Sequence, residues 1–305
     1  IYNYDGGTIN ADKRTVYIVS GEDIELYNNN GATIEADAGY YGVNFKNSSA
    51  ITIDNDGTIT SSDGYTIGLY QAETVNLDNS GTISTDGNFG VYCLECVDLT
   101  LTNSGTISAV SQIGVSARQA TGTNTIKNSG TISAESSKGV DIRRAANLTL
   151  NNSGTISANG NAVLAMNAFA PTIINSGTIT STAGAATKSG IDLSQNTDGD
   201  LGSGATITNS GTIEGLGTNA DGIRIGNGTG VYNDVTITNS GTISGDDNSI
   251  WIDGPSGGSG TTGTNIITKG DATYTGEIDM ASAVVTMTLD CSITKDMDIE
   301  IHNKT

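Results

Sequence analysis

The chain of 305 residues contains two prolines, one histidine, one tryptophan and three cysteines, and only 15% of it is charged. Each shortage excludes something. One His and three Cys furnish no zinc set, and no Ser-His-Asp arrangement can be assembled around His302. Thirteen basic residues against 33 acidic ones leave a net charge of −20, which excludes a general phosphate-backbone binder, so no nucleic-acid partner is expected. No apolar run reaches the roughly 18 residues of a membrane-spanning helix, so no membrane span is expected. Aromatics make up 5% of the chain, most of them Tyr. So few large side chains point to a thin, repetitive core rather than a thick globular one.

Glycine is in excess, at 41 residues, and much of it is periodic. The string Asn-x-Gly-Thr-Ile recurs at Asn55/Gly57, Asn79/Gly81, Asn103/Gly105, Asn128/Gly130, Asn152/Gly154, Asn175/Gly177, Asn209/Gly211 and Asn239/Gly241. Its spacings are 24, 24, 25, 24, 23, 34 and 30 residues, with degenerate copies ahead of it at Asp5–Ile9 and Asn29–Ile34. The unit is therefore about 24 residues long, and the late, longer spacings place inserted loops around Gln195–Gly204 and Gly226–Asn233.

Three short alternating stretches fill each unit. One follows the Gly, as in Thr106-Ile107-Ser108; one has the form Gly-Val-x-apolar, as in Gly90-Val91-Tyr92-Cys93; one ends at the Asn, as in Leu99–Asn103. This predicts an all-β, right-handed parallel β-helix, a β-solenoid with three strands and about 24 residues per rung. Stacked at about 4.7–4.9 Å, the rungs would bury columns of Ile, Val and Leu, with Ile83, Ile107, Ile132 and Ile156 in one column. The corner Gly is expected to take positive φ, and the corner Asn residues are expected to form a ladder of amides. Residues 1–253 form the array, 254–264 a Gly/Ser-rich loop, and 265–305 a C-terminal β segment of further rungs or an end-contact region.

The stacked Asn-Ser-Gly-Thr-Ile-Ser units at Asn79–Ser84, Asn103–Ser108, Asn128–Ser133 and Asn152–Ser157 resemble the passenger domains of bacterial autotransporters and related secreted β-solenoid adhesins. The Gly-x-Ile segment in Tyr274–Met280 is similar to those that follow such arrays. The resemblance covers residues 1–280. It implies export to the cell surface and a role in adhesion, aggregation or display, with a cell-surface or glycan ligand as partner.

Any chemistry would sit on the Gly-Val strands. Their alignment gives an outward column of Asn44, Gly68, Tyr92, Ser116, Asp141, Leu164, Asp192, Arg224 and Trp251, expected to be a variable, solvated face. Asp141, Asp192, Asp221 and Arg224 would share a patch there, the one place for a polysaccharide-acting enzyme. No two carboxylates recur on adjacent rungs, so no catalytic residue is expected. Cys93 falls on an inward position and is expected as a small buried thiol, with a disulfide to Cys96 as the alternative in an oxidising compartment. No cofactor is expected, with calcium at the acidic turns Asp198-Gly-Asp200 and Asp246-Asp247 as a minor alternative. The paired hydroxyls that recur as Thr82/Ser84, Thr106/Ser108 and Thr131/Ser133 form an array of the kind that ice-binding solenoids present.

The ends suggest assembly. Asp298–Asn303 matches Asp23–Asn28, a strand finishing at its Asn, while Ile1–Ile9 enters the corner that follows such a strand. Head-to-tail contact through Ile1, Tyr2, Tyr4, Ile299 and Ile301 is therefore expected to stack copies into a filament. The reading is thus a non-enzymatic, extracellular structural protein of a bacterial cell surface, with a monomeric adhesin passenger as the alternative.

Overall fold

The computed structural model describes residues 1–37, 41–182, 188–194, 202–226, 232–252, 263–280, 285–289 and, as backbone only, 301–302. All regular elements among them are strands, and the chain coils into a β-solenoid with three faces. A Thr-Ile face holds strands such as Thr82–Thr85 and Thr106–Ala109, a Gly-Val face Phe89–Leu94 and Ile113–Arg118, and an Asn-terminated face Val97–Asn103 and Asn124–Asn128. Each strand pairs in parallel with its counterpart one repeat away, as Thr82 does with Thr106 and Val91 with Val115. Among the described residues twelve strands line the Asn-terminated face. The other two faces merge into one sheet because Thr242–Ile252 runs from one into the next without a corner.

Alternation dictates the core. Ile59, Ile83, Ile107, Ile132, Ile156, Ile179, Ile213 and Ile243 lie in register and are fully buried. Each such side chain contributes about 1.5–3 kcal/mol of burial, and no single rung could bury its own.

The corner Asn residues form the expected ladder. Each Nδ2 donates to the next Oδ1, at 2.6 Å from Asn55 to Asn79, 2.7 Å from Asn79 to Asn103 and 2.8 Å from Asn103 to Asn128. The series runs on through Asn152, Asn175 and Asn209 to Asn239. It also starts earlier than the repeat motif shows, because Asn3 donates to Asn28 and Asn28 to Asn55. At the far end Thr268 stands opposite Asn239 and meets the Tyr274 hydroxyl at 3.1 Å, so the amides stop there.

The corner glycines are needed for a different reason than expected. None of Gly57, Gly81, Gly105, Gly130, Gly154, Gly177, Gly211 and Gly241 has positive φ. Instead the rungs stack so closely that a side chain has no room. A Cβ on Gly81 would lie on the carbonyl oxygen of Gly57, and one on Gly105 on that of Gly81. The clash recurs rung by rung, from Gly130 on Gly105 and Gly154 on Gly130 to Gly177 on Gly154, Gly211 on Gly177 and Gly241 on Gly211. Gly57 has no corner Gly beneath it, and a Cβ there would meet the carbonyl oxygens of Ala32 and Asn29. Left-handed backbone is concentrated instead at the corner between the Gly-Val and Asn-terminated faces, where Asn47, Gln71, Glu95, Gln119 and Arg144 have φ of 49–56°. None of these is Gly, so composition gave no hint of that turn.

Strands Thr264–Thr268, Thr273–Asp279 and Val285–Leu289 continue the ladders, with Thr264 already in a strand. Ile301–His302 pairs with Ile278 and Asp279 on the Gly-Val face, not on the Asn-terminated face as the match to Asp23–Asn28 suggested. Val285–Leu289 has already taken the Asn-terminated position, and twelve residues later the chain has come round only to the Gly-Val position. Ile299, most of the 254–264 loop, and the tips of both inserted loops lie outside the described residues.

Candidate recognition face

The outward column of the Gly-Val face comes together in the register read from the sequence, from Asn44 opposite Gly68 to Arg224 opposite Trp251. It is not a solvated column. Asn44, Tyr92, Ser116, Asp141, Leu164 and Asp192 are all buried. Alternation gives the side of the sheet a residue occupies, but long flanking side chains then lean over and cover it.

Along the early rungs the cover is aromatic. Tyr41, Tyr65 and Phe89 occupy one position on successive rungs and stack at 5.2 and 5.0 Å. Tyr70 and Tyr92 pack against this stack, Phe89 to Tyr92 at 4.8 Å and Tyr70 to Tyr92 at 5.4 Å. Tyr65, Tyr70, Phe89 and Tyr92 form with Ile113 and Leu94 a small apolar cluster outside the solenoid's own core. Burial pushes the phenols of Tyr70 and Tyr92 up.

The next rungs are charged. Arg118 lies 5.4 Å from the Phe89 ring and donates through Nε and Nη2 to Asp141 Oδ2, at 3.2 and 2.9 Å. Arg143 approaches the same oxygen at 3.3 Å. The Asp141 side chain is fully buried beneath the two guanidinium groups, whose side chains keep 25% and 31% of their surface exposed. Beyond the rung of Leu164, Asn161 Nδ2 donates to Asp192 Oδ2 at 2.7 Å, and Arg224 sits 4.3 Å from the Trp251 ring. Burial raises the Asp192 carboxyl, against the attraction of Arg224. Burial likewise pushes Asp221 up to about 6, against a 2.9 Å hydrogen bond from Asn248 and the charge of Arg224. The structure thus gathers Asp192, Asp221 and Arg224, while Asp141 stands apart with its own two arginines.

At the N-terminal end of the same face, Arg14, Tyr17, Tyr41, Asn44, Lys46 and Tyr70 line a cleft of about 150 Å³. Arg14 lies over the Tyr17 ring at 4.5 Å, and the hydroxyls of Tyr41 and Tyr70 meet at 3.1 Å. The aligned column began at Asn44 and missed the first rung with Arg14 and Tyr17, because that rung reads Thr15-Val16 where later rungs read Gly-Val. Register restores them, with Arg14 opposite Tyr41 and Tyr17 opposite Asn44.

Charge is segregated around the rod. Arg14, Lys46, Arg118 and Arg224 lie in strands of the Gly-Val face, and Lys13, Lys138, Arg143, Arg144 and Lys188 lie within three residues of such strands. That is nine of the 13 basic residues of a protein with net charge −20.

Cys93 and Cys96 are both buried and are placed as a disulfide. Among the described residues no three His, Cys, Asp or Glu side chains converge as metal ligands. Asp246 and Asp247 are exposed, and Asp198-Gly-Asp200 lies outside the described residues. No helix among the described residues is long and apolar enough to cross a membrane. No family model, curated protein or solved structure matches the chain.

Proposed function

We propose that the protein is a non-enzymatic structural and adhesive solenoid of a bacterial cell surface, similar in role to the autotransporter passengers that its repeat resembles. The observation that supports this reading is the contrast between a uniform scaffold and a single differentiated face. The ladder and the Ile column repeat with little variation, while aromatic and basic side chains gather on the Gly-Val face. A rod that holds one such face away from the cell suits adhesion. The test coats a surface with purified protein and measures retention of bacterial and host cells against a coat of inert protein. Retention above that background is the expected result; none above it would sink the reading.

The raised carboxyls of Asp192 and Asp221 beside Arg224 favour a second reading, an enzyme acting on polysaccharide. Turnover of acidic and neutral polysaccharides, followed by reducing ends and absorbance of unsaturated products, separates the two. Turnover abolished by Asp192→Ala would replace the adhesive reading.

End-to-end association is part of the proposal on narrower grounds. Ile1, Tyr2 and Tyr4 are exposed on the first coil beside Asn3, so a further coil stacked there would extend both ladder and core. Sedimentation velocity against concentration tests whether a second copy supplies that coil. A single sedimenting species at every concentration would remove the filament.

A further inference from the structure

We infer that the cleft lined by Arg14, Tyr17, Tyr41, Asn44, Lys46 and Tyr70 binds a carboxylated sugar unit of an acidic polysaccharide. The inference rests on the adhesive reading above and names the class of ligand. Three independent features carry it.

The first is uncompensated positive charge. Arg14 and Lys46 are exposed and make no ion pair among the described residues, whereas Arg118 and Arg143 farther along the face are spent on Asp141. None of the residues that line the cleft is a carboxylate. Two free cations in a protein of net charge −20 are complementary to an anion, and the guanidinium held over Tyr17 has its fork free for a carboxylate.

The second is a free amide on the floor of the cleft. Asn44 is only 2% exposed, lines the cleft, and makes no side-chain hydrogen bond among the described residues. Opposite it on the next rung stands Gly68, which adds no side chain over it. An amide that both donates and accepts suits a sugar ring with adjacent hydroxyls.

The third is aromatic surface. Tyr17 is 44% exposed, and the half-buried rings of Tyr41 and Tyr70 wall the cleft with their hydroxyls 3.1 Å apart. Flat apolar rings topped by hydroxyls match the apolar faces and hydroxyl edges of a pyranose. A phosphodiester polymer fits less well. Such a binder calls for clustered Lys and Arg, and only two cations stand here on a rod of net charge −20.

The test is isothermal titration calorimetry of the full chain with oligomers of polygalacturonate, alginate and polysialic acid. Methyl-esterified oligogalacturonate and an oligothymidylate are run beside them. Saturable binding to at least one carboxylated chain is expected, weakening as salt is added. Esterification and the double variant Arg14→Ala/Lys46→Ala should each lower affinity at least tenfold, and Tyr17→Ala should lower it severalfold. Lys127→Ala, on the Asn-terminated face, should leave it unchanged. All four substituted residues are exposed, and circular dichroism checks that the variants stay folded. Absence of binding to all three chains, equal binding by the double variant, or tighter binding of the oligothymidylate would each overturn the inference. Cell retention that persists without glycan binding would sink the inference and leave the adhesive reading standing. Glycan binding without cell retention would do the reverse.

Discussion

Asn79 Nδ2 lies 2.7 Å from Asn103 Oδ1 and also donates to the carbonyls of Gly81 and Thr106, each at 3.2 Å. One buried amide thus ties its own corner, the next corner and the next strand together. The same geometry holds at Asn128, with 2.8 Å to Asn152 and 3.2 and 3.1 Å to the carbonyls of Gly130 and Thr155.

Asn128→Asp replaces the donor with oxygen among three acceptors in a site that is 2% exposed. The expected loss is about 3 kcal/mol or more at neutral pH, since a buried acceptor or charge is left unmet. The same change at Asn3, on the edge of the ladder, should cost less. Urea midpoints of the two variants against wild type decide it. Equal losses would mean that the ladder adds nothing beyond its separate corners.

Gly105→Ala and Gly6→Ala should fail by different routes. The first drives a methyl into the carbonyl of Gly81, where the backbone of the rung below cannot yield. The second meets nothing within 4 Å and suffers only from its φ of +72°. The expected costs are about 3 kcal/mol or more at Gly105 and about 1–2 kcal/mol at Gly6. Conversely, Gln119→Gly at φ 53° should be neutral or stabilising by up to about 1 kcal/mol. Thermal denaturation of the three variants is the measurement.

Asp141 and its arginines predict an asymmetry. Arg118→Ala/Arg143→Ala leaves a fully buried carboxylate without its partners, and the expected loss is about 3–5 kcal/mol. Asp141→Asn frees two side chains that already reach solvent and should cost clearly less. Urea unfolding of both variants is diagnostic; a larger loss for Asp141→Asn would contradict the assignment.

Asp221 gives a pH dependence. Its folded-state value of about 6 lies above the 3.8 of an unburied Asp, so the folded protein favours its protonated form. The stabilisation is fully present below about 3.8 and is lost as pH rises towards 6, by about 3 kcal/mol in all. Asp192 acts in the same direction. Asp221→Asn keeps an acceptor for Asn248 and should remove Asp221's share of the slope. Stability of both proteins from pH 4 to pH 7 tests it, and parallel curves would show that Asp221 does not titrate in this window.

The fold was legible because it depends on period. A spacing near 24 residues fixes which strand lies above which, and alternation fixes which side chains enter the core. Ile83, Ile107 and Ile132 therefore stack as their spacing required, and so do Asn79, Asn103 and Asn128. Phase can also mislead at a single strand. Asp298–Asn303 shares its pattern of neighbours with Asp23–Asn28, yet Leu26 lies on the Asn-terminated face and Ile301 on the Gly-Val face. The preceding strand, Val285–Leu289, decides the difference, since it has already filled the Asn-terminated position.

What only the tertiary structure decided lies on the outer surface and in the corners. Asp141 and Ser116 were expected in solvent, but whether an outward residue is covered depends on the length and lean of flanking side chains, which alternation does not encode. The corner Gly, from Gly57 to Gly241, is needed for the approach of a neighbouring rung rather than for its own φ, a constraint between residues one full repeat apart. Arg14 and Lys46 are 32 residues apart and belong to strands of different local pattern. They face one cleft because adjacent rungs stack, and stacking brings together side chains that no local pattern links.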